Sequence, residues 1–403
     1  MESKEDVLEA ARAAGIAVTD AQLARWHRAG LLPRPDVQRL GRGKGTRSLY
    51  PAGTSARLIR VAKVHQQEHR LGHAAWRLWW EDGGPLSAPA CTFLIGVARR
   101  LDVQREQIVQ LVDGDAVGDS DAIREMDELY SSMENDRLPQ PLGQARSRVG
   151  TTQFPTVGRM LLELVADRFE GFQADPETGV DDGALLEKSW GLDRARTDQL
   201  ANAEPWLDGD LAPGLTKLSR LIASTPQLEL AQSADTVLDV ARVELKEFLV
   251  TITTTARMLE ILFGPGAFGY GMFGQLFDLA SAKGQATALL GWMLLRQDEG
   301  LHAGMRQFAS LSPQAQATER LFDITNQLRD EVPELADVLS PERLGAAQLN
   351  AGENERLRDE IRAIADANRT RVDRFLARFP DLDELQSLAN QGTDVPDEPS
   401  ASD

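Results

Sequence analysis

The chain has 403 residues and a formal net charge of −18, and 42% of its residues are hydrophobic. This length and composition predict a globular protein of two or three domains with a sizeable core. The single cysteine, Cys91, excludes an intramolecular disulfide and a multi-cysteine zinc site, and is expected to be buried as a small apolar residue.

The charge is divided unevenly along the chain. Residues 1–80 carry fourteen Lys and Arg against seven Asp and Glu, a net charge of +7, whereas residues 81–403 carry thirty against fifty-five, a net charge of −25. The basic part suits a polyanion such as nucleic acid, which the acidic remainder would repel. The N-terminus lacks the apolar core of a signal peptide, and the longest uncharged stretch, 261–277, is broken by a proline and five glycines. We therefore expect a cytoplasmic, nucleoid-associated protein with no membrane partner.

Two short helices are predicted at the start of the chain. The first covers 4–14 and is followed by Gly15, a residue that suits the position after a helix. The second begins at Thr19, which forms a Thr-x-x-Gln capping box with Gln22, and it stops before Gly30. Two short helices joined by a tight turn indicate a helix-turn-helix.

A basic loop follows, with the sequence RLGRGKGTRSLYP at 39–51. Its glycines let the backbone approach a sugar-phosphate chain, and its cations suit phosphate contacts, which carry the salt-dependent part of DNA affinity. The letters GRGKGT also suggest a phosphate-binding loop, but Gly45 separates Lys44 from Thr46 and no apolar strand precedes them. Because this spacing fails the Gly-x4-Gly-Lys-[Ser/Thr] pattern, nucleotide binding is not predicted.

Tryptophans are concentrated in the helical segments after this loop. These segments are predicted at 54–70, from a break at Leu71-Gly72 to Gly83-Gly84, and at 90–112. Trp26 and Trp76 are expected in the core, where most buried tryptophans lie. Neighbouring residues on a helix cannot both point inward, so one of Trp79 and Trp80 is expected to meet the C-terminal part of the chain or a second subunit.

The chain is predicted to have four parts. A DNA-binding head covers 1–84, a helical segment and linker cover 85–150, an all-α domain covers 151–390, and a disordered acidic tail covers 391–403. In the all-α domain, apolar residues recur at three- and four-residue spacing in five segments, 157–172, 234–263, 274–297, 317–332 and 352–379. The fold class is therefore mainly α.

Residues 15–82 resemble the DNA-binding domain of the MerR family of transcriptional regulators. The capped helix is followed by WHRAGLLPRP, by the basic loop closing on GTRSLYP, and by the pair of helices in TSARLIRVAKVHQQEHRLGHAAWRLWWEDG. The family pattern is a recognition helix, a Gly-Leu-Leu-Pro exit, a basic wing closed by an Arg-x-Tyr or Arg-x-x-Tyr sequence, and two helices joined at Leu-Gly. The matching positions here are Trp26, Gly30, Leu31, Leu32, Pro33, Arg47, Tyr50, Leu71 and Gly72.

This resemblance implies a winged helix-turn-helix head joined to the all-α domain. It also implies a homodimer on double-stranded DNA, because one short recognition helix reads too few base pairs to specify a site. On that helix Gln and Arg suit base edges and Thr suits phosphate, whereas for Tyr50 a phosphate contact and a purely structural role both stay open. The predicted DNA-binding residues are Thr19, Asp20, Gln22, Arg25, Arg28, Arg39, Arg42, Lys44, Thr46, Arg47 and Tyr50.

Two short strings suggest metal chemistry but are explained more simply. His65-Gln-Gln-Glu-His69 matches a metalloprotease string, yet it lies on a helix of the head and is interpreted as a polar face near the DNA backbone or a subunit contact. Glu299-x-x-His302 is half of a di-iron pattern, but no other histidine follows position 73, so it is interpreted as a solvated helix end. We predict no metal, no cofactor, no catalytic residue and no enzyme activity.

The stretch ILFGPGAFGYGMFGQLF at 261–277 is unusual because it combines glycines with aromatic residues. It is interpreted as a buried connection between helices, with a small-molecule pocket as the alternative, since cores and pocket walls share this composition. The candidate pocket residues are Phe263, Phe268, Tyr270, Met272, Phe273 and Phe277.

Together these features predict a sequence-specific DNA-binding transcriptional regulator. Its helical C-terminal domain would dimerise, respond to a small-molecule or protein effector, or do both. The alternative is a DNA-anchored interaction module that recruits or inhibits another protein, since the net charge of −25 after residue 80 suits a basic partner.

Overall fold

The computed structural model describes residues 1–39, 46–113, 147–150, 153–168, 181–189, 211–263, 279–340, 343–345, 347 and 351–390. These residues are mainly helical, as predicted, and the described strands form one small sheet near the N-terminus. No helix in the described ranges is both long enough and apolar enough to cross a bilayer.

The elements are named here in chain order. Those of the first 113 residues are β1 Glu2–Ser3, α1 Lys4–Ala13, α2 Asp20–Arg28, β2 Asp36–Arg39, β3 Thr46–Tyr50, α3 Thr54–Glu68, α4 Leu71–Asp82 and α5 Ala88–Asp113. Those that follow are α6 Phe154–Val165, α7 Asp182–Ser189, α8 Leu211–Ser224, α9 Gln227–Ala231, α10 Asp235–Phe263, α11 Ala282–Leu295, α12 Glu299–Ala309, α13 Ser312–Glu331, a 3-10 turn Pro333–Leu335, α14 Ala351–Ala367, α15 Arg369–Leu376 and α16 Leu382–Asn390.

Capping side chains fix where the first two helices begin. Ser3 caps α1, and Asp6 closes the box by accepting from the Ser3 backbone N–H at 2.9 Å. Thr19 caps α2, and the Gln22 Oε1 accepts from the Thr19 backbone N–H at 2.9 Å, which confirms the predicted box. Each box satisfies backbone donors that the first turn of a helix leaves unpaired.

Strands β2 and β3 form an antiparallel hairpin around the basic loop. The register pairs Asp36 with Leu49 and Arg39 with Thr46, and residues 40–45 lie outside the described part of the chain. The two-residue strand β1 pairs with the other edge of β3, so the strand order is β1-β3-β2. Sequence analysis did not predict β1, because two residues are too short to show the alternation typical of strands.

The N-terminal helices and the sheet share one apolar core. Val7 and Ala11 of α1, Trp26 of α2, and Leu58 of α3 are at most 2% exposed. Tyr50 closes the same cluster at the end of β3 with 3% exposure. The helices therefore bury one face each, as their apolar spacing predicts.

Several predicted helix boundaries are wrong. The helix predicted over 157–172 ends at Val165, before a turn at 166–167. The break between α3 and α4 falls at His69, whose φ is +54°, and Leu71 and Gly72 already belong to α4. Within the helix predicted over 274–297, residues 279–281 form a turn and a bend, and α11 begins at Ala282; residues 274–278 lie outside the described part of the chain. The segment 352–379 forms two helices, because the chain leaves helical geometry at Asn368.

Long-range contacts divide the chain into two compact units. The first unit is Met1–Gln107 with Ser224–Val243 and Phe277–Leu294, and the second is Ile108–Ala223 with Glu244–Leu276 and Leu295–Asp403. Two segments from the predicted all-α domain therefore pack with the N-terminal residues. The domain boundaries at 84 and 150 stay predictions, since a compact unit is defined by contacts and not by independent folding.

In the first unit, Arg242 of α10 covers the tryptophans of α4. Its side chain is 8% exposed, it donates to the Trp80 carbonyl oxygen at 3.0 Å, and its guanidinium lies 5.6 Å from the Trp79 ring centroid. Asp239 accepts from Arg242 at 2.8 Å and so compensates the buried charge. Both Trp79 and Trp80 are buried, and they meet a segment from the C-terminal part of the sequence, as expected for one of them.

Two further backbone segments of the first unit are held by carboxylates. Asp102 of α5 accepts from the backbone N–H groups of Gln227 and Leu228 at 2.7 and 2.9 Å, which caps the start of α9. Asp235 accepts from the Leu86 N–H at 3.3 Å. Cys91 is half-buried, which corrects the prediction of a fully buried thiol.

The second unit contains small separate apolar clusters between helices. Val157 and Met160 of α6 pack with Leu185 and Leu186 of α7. Farther along the chain, Val332, Leu335 and Leu339, which follow α13, pack against residues of α14 and α15, including Ile361 and Val372.

Candidate nucleic-acid interface

Helix α2 buries one face and presents the other to solvent. Leu23 and Trp26 point into the core at 2% exposure each. Asp20, Arg25 and Arg28 are exposed, so most of the charge of this helix lies on its outer face. A nine-residue helix with this division is short enough to enter a major groove with its polar face forward.

The capping box determines which hydrogen-bonding groups of Thr19 and Gln22 are available to a ligand. The Oε1 of Gln22 accepts from both the backbone N–H and the hydroxyl of Thr19, at 2.9 and 3.0 Å. The amide N–H groups of Gln22 have no partner among the described residues and remain available as donors. Asp20 is engaged by Lys4 at 2.7 Å, an ion pair that weakens its repulsion toward a polyanion.

The hairpin after α2 contains the other cations predicted to bind DNA. Thr46 and Arg47 are exposed on β3, opposite the end of β2. Arg39 is the last residue of β2, and its side chain is not described. Arg42 and Lys44 lie outside the described residues, in the segment that joins the two strands.

Other cations of the first unit are neutralised by carboxylates. Arg57 pairs with Asp82, Arg60 pairs with Glu81 at 2.5 Å and with Asp82 at 2.6 Å, and Arg77 pairs with Glu68 at 2.9 Å. All of these ion pairs join α3 to α4, and they leave less charge for a polyanion. By contrast, the described part of the chain holds no ion-pair partner for Arg25, Arg28, Arg34 or Arg47.

Arg34 is a cation that sequence analysis did not single out. It is exposed between Pro33 and Pro35, on the segment that leads from α2 into β2. Its flanking prolines restrict the backbone, so the charge is held near the hairpin. The sequence signal that marks it as a candidate is its position between the two predicted contact elements, α2 and the basic loop.

Tyr50 lies at the end of β3 and is 3% exposed. Its ring stacks on His27 with centroids 5.2 Å apart and an interplanar angle of 28°. Burial raises the pKa of its phenol, and Lys4 partly offsets that effect. Of the two roles left open by the sequence, the packing of Tyr50 supports the structural one.

The two histidines of the HQQEH string lie in different surroundings. His65 packs edge-on against Trp26 at 5.8 Å. His69 occupies the left-handed turn between α3 and α4. Among the described residues, no group of three or more His, Cys, Asp or Glu side chains is arranged to hold a metal ion.

Burial lowers the pKa of three histidines in the first unit, His27, His65 and His73. The positive charges of Arg25 and His69 add to the effect of burial on His65. For His73, Arg70 and Arg100 act in the same direction, whereas Glu68 opposes them. Each of these rings is therefore favoured in its neutral form in the folded protein.

The stability of the first unit is expected to fall as the pH is lowered through about 6.5, the ordinary histidine pKa. Below this pH the unfolded chain binds more protons than the folded one, because its histidines have the higher pKa. The free energy of unfolding therefore has its highest value above this pH and decreases as the pH is lowered. The measurement is the urea midpoint between about pH 7.5 and 5.5, the range in which histidine titrates. His27→Phe keeps a ring against Tyr50 and is expected to lose less stability in acid than wild type.

Tyr50→Phe is the matched control for this pH series, because it changes the other ring of the same stack. The phenol does not titrate in this range, since burial raises its pKa further above the ordinary value. Its acid loss should equal that of wild type. An acid loss in His27→Phe as large as in Tyr50→Phe would contradict the contribution of His27.

The predicted solvated end at Glu299-x-x-His302 is wrong for His302. Its Nε2 lies 3.2 Å from the Glu244 carboxylate, and its side chain is 19% exposed. Arg296 contacts the same carboxylate at 3.1 Å, so Glu244 joins α10 to the residues around α12. Glu299 is exposed and does not take part in this contact.

The candidate small-molecule pocket at 261–277 lies almost entirely outside the described residues. Only the backbone at its start, up to Phe263, is part of a described helix. The predicted residues Phe268, Tyr270, Met272, Phe273 and Phe277 are therefore not placed, and both interpretations of this stretch stay predictions.

The chain was compared with known proteins at the level of sequence and of structure. Comparison of the chain with protein-family models, with curated proteins and with solved structures finds no match. The function is therefore argued from the residues of α2, the hairpin and their surroundings.

Proposed function

We propose that the protein is a sequence-specific DNA-binding transcriptional regulator with a winged helix-turn-helix head of the MerR type. In this proposal α2 enters the major groove, and the hairpin loop lies along the sugar-phosphate backbone. The supporting observation is that α2 and the hairpin carry exposed cations without ion-pair partners in the described residues, whereas the arginines on α3 and α4 are paired with carboxylates.

The two elements have different tasks in the proposal. Arg25 and Arg28 extend from the exposed face of a helix whose other face is anchored by Trp26, and this suits contact with base edges. Arg34 and Arg47, together with the loop cations Arg42 and Lys44, suit phosphate contacts that position the head. The acidic remainder of the chain would be repelled by DNA, which restricts binding to this surface.

The proposal includes a homodimer and an effector-responsive C-terminal part. A single nine-residue helix contacts only a few base pairs, so two copies related by a two-fold axis are needed to specify an operator. The state of the helical remainder would then change the spacing or orientation of the two copies.

The deciding experiment is a selection of bound sequences from random duplex DNA by the full-length protein. We expect one enriched sequence with two-fold symmetry and half-sites separated by about one helical turn or a multiple of it. Mapping bound sites across the host genome should recover the same sequence. If the bound duplexes show no sequence preference, the proposal of a sequence-specific regulator is refuted, and the protein binds polyanions in general.

Gln22→Ala is expected to relax the selected sequence more than it lowers non-specific affinity. The loss of one base contact removes about 1–3 kcal/mol of discrimination at one position. The substitution also removes half of the capping box, which costs about 1 kcal/mol of stability. The measurement compares affinity for the selected site with affinity for a scrambled duplex.

Asp6→Ala is the matched control for Gln22→Ala. Asp6 occupies the same third position of the capping box on α1 and accepts from the Ser3 N–H. It should lose similar stability and leave the sequence preference unchanged. A uniform loss across all sequences in Gln22→Ala, or the same relaxation in Asp6→Ala, would exclude base contact by Gln22.

A further inference from the structure

A groove of about 780 Å³ lies beside α2, at the start of α4 and of α5. Its cationic rim is formed by Arg25 and Arg28 of α2 and by Arg70, which precedes α4. Its apolar floor includes Leu71, Pro89 and Phe93. All of these residues belong to the first unit.

The charge of the groove is of one sign. No acidic residue lines it, and none of its three arginines has an ion-pair partner among the described residues. Glu68, the carboxylate next to the lining residue His73, is held by Arg77 at 2.9 Å. Uncompensated guanidinium groups at the edge of an apolar surface attract a carboxylate, sulfonate or phosphate, which they bind through charge-assisted hydrogen bonds.

The floor is built by close packing of two helix starts. A Cβ at Gly72 would lie 3.3 Å from the Phe93 Cβ and 3.4 Å from the Pro89 carbonyl oxygen, so glycine lets the first turns of α4 and α5 approach each other. The His73 ring packs on Phe93 with centroids 4.7 Å apart. These contacts fix the position of the Phe93 ring in the apolar floor.

The start of α4 adds donors to the same place. Arg70 is the N-cap residue, and no side chain caps the helix there. The first backbone N–H groups of a helix are unpaired within it and favour an anion. An anionic group beside Arg70 would therefore meet both a guanidinium and backbone donors, while an attached ring rests on the floor.

We propose that this groove binds a small organic anion, with one carboxylate, sulfonate or phosphate group on a flat apolar body. Its mainly apolar lining with three cations suits such an anion, which would rest in an open groove on the surface. Arg25 and Arg28 belong to both the groove and the proposed DNA surface, so ligand and DNA exclude each other. This exclusion rests on the proposed function, whereas ligand binding itself does not.

The test uses the full-length protein and 8-anilinonaphthalene-1-sulfonate, a fluorescent aromatic sulfonate, titrated without DNA. Arg70→Gln removes one rim charge, and we expect it to weaken dye binding about fivefold. Thr92→Trp places a large side chain in the groove from an exposed position of α5 and should abolish saturable binding. Lys63→Gln removes an exposed charge of α3 outside the groove and should leave dye affinity unchanged.

A second measurement adds the selected DNA duplex to the dye complex. Displacement of the dye by DNA, with a higher apparent DNA Kd at higher dye concentration, supports mutual exclusion. Dye affinity unchanged in both Arg70→Gln and Thr92→Trp would overturn the groove as a ligand site. An Arg70→Gln variant that retains dye affinity but loses DNA affinity would assign the groove to the DNA backbone instead. If the protein binds no specific DNA, the dye titration still decides the groove, so the two proposals fail separately.

Discussion

Replacing Arg42, Lys44 and Arg47 together by alanine is expected to lower DNA affinity by about 100-fold near physiological salt. The three cations lie in or beside the loop that joins β2 and β3, and Arg47 is exposed on β3. Each cation that neutralises a phosphate releases a condensed counterion. The loss should therefore be larger at low salt and affect specific and scrambled duplexes alike.

The salt dependence provides the stricter measurement. If all three cations contact phosphate, the slope of log K against log salt should become less steep by about 2.7, since each contact contributes about 0.9 for duplex DNA. A smaller change would give the number of loop cations that reach the backbone. Fluorescence anisotropy with one labelled duplex over a range of salt concentrations measures both affinity and slope.

A charge-matched control separates local contact from overall charge. Arg12, Lys63 and Arg99 are exposed on α1, α3 and α5, away from α2 and the hairpin in sequence. Their simultaneous replacement by alanine changes the net charge by the same amount as the loop variant. Equal losses of DNA affinity in the two triple variants would show that only the net charge of the first unit matters. The proposed contact between the loop and DNA would then be wrong.

The features that were predicted correctly depend on residues close together in sequence. The Thr19–Gln22 box spans four residues, and its hydrogen bonds follow from those two side chains and their backbone N–H groups. The C-terminal end of α4 follows from the position of Gly83, and the burial of Trp26 follows from apolar spacing. Local propensity and periodicity contain this information because the interacting groups lie within one or two turns.

The break before α4 was misplaced because an unusual residue forms it. Left-handed backbone conformation favours glycine, and the nearest glycine is Gly72. The structure instead has His69 at φ +54°, and Gly72 is needed for close packing against Pro89 and Phe93. Both roles suit glycine, so the residue type alone did not distinguish a turn from a close helix contact.

The contacts that the sequence could not predict join distant residues. Arg242 reaches Trp80 across 162 positions, and Glu244 contacts His302 across 58. Such pairs depend on how helices pack, and no local spacing encodes them. The same limit applies to the candidate site, because the neutralisation of Arg57 by Asp82 removes a cation that the composition of residues 1–80 had counted as available.

The Arg242 contact also determines what Gly83 tolerates. Gly83 ends α4 at φ +71° and ψ −157°, a conformation essentially restricted to glycine. A Cβ built there would overlap the Nη2 of Arg242, and it would lie 2.9 Å from the Asp239 Oδ1. Alanine at this position would therefore combine backbone strain with displacement of a buried guanidinium from Asp239 and the Trp80 carbonyl.

Gly83→Ala is expected to lower the free energy of unfolding of the first unit by about 3 kcal/mol, from strain together with partial loss of the Arg242 contacts. Gly84→Ala is the matched control, because Gly84 also has a positive φ of +84° but a Cβ there meets nothing within 4 Å. That variant should lose about 1 kcal/mol, the cost of the backbone conformation alone. Urea unfolding followed by tryptophan fluorescence measures both.

A double-mutant cycle identifies the source of the difference between the two glycines. In the Arg242→Ala background the obstructing guanidinium is absent, so adding Gly83→Ala should cost only about 1 kcal/mol, from the backbone conformation and the remaining approach to Asp239. The coupling energy between Gly83 and Arg242 would then be about 2 kcal/mol, within the range for residues in direct contact. If Gly83→Ala costs the same stability with and without Arg242, the Arg242 side chain moves away from the added methyl group at no cost. In that case the cover of Trp79 and Trp80 by α10 would contribute little to the stability of the first unit.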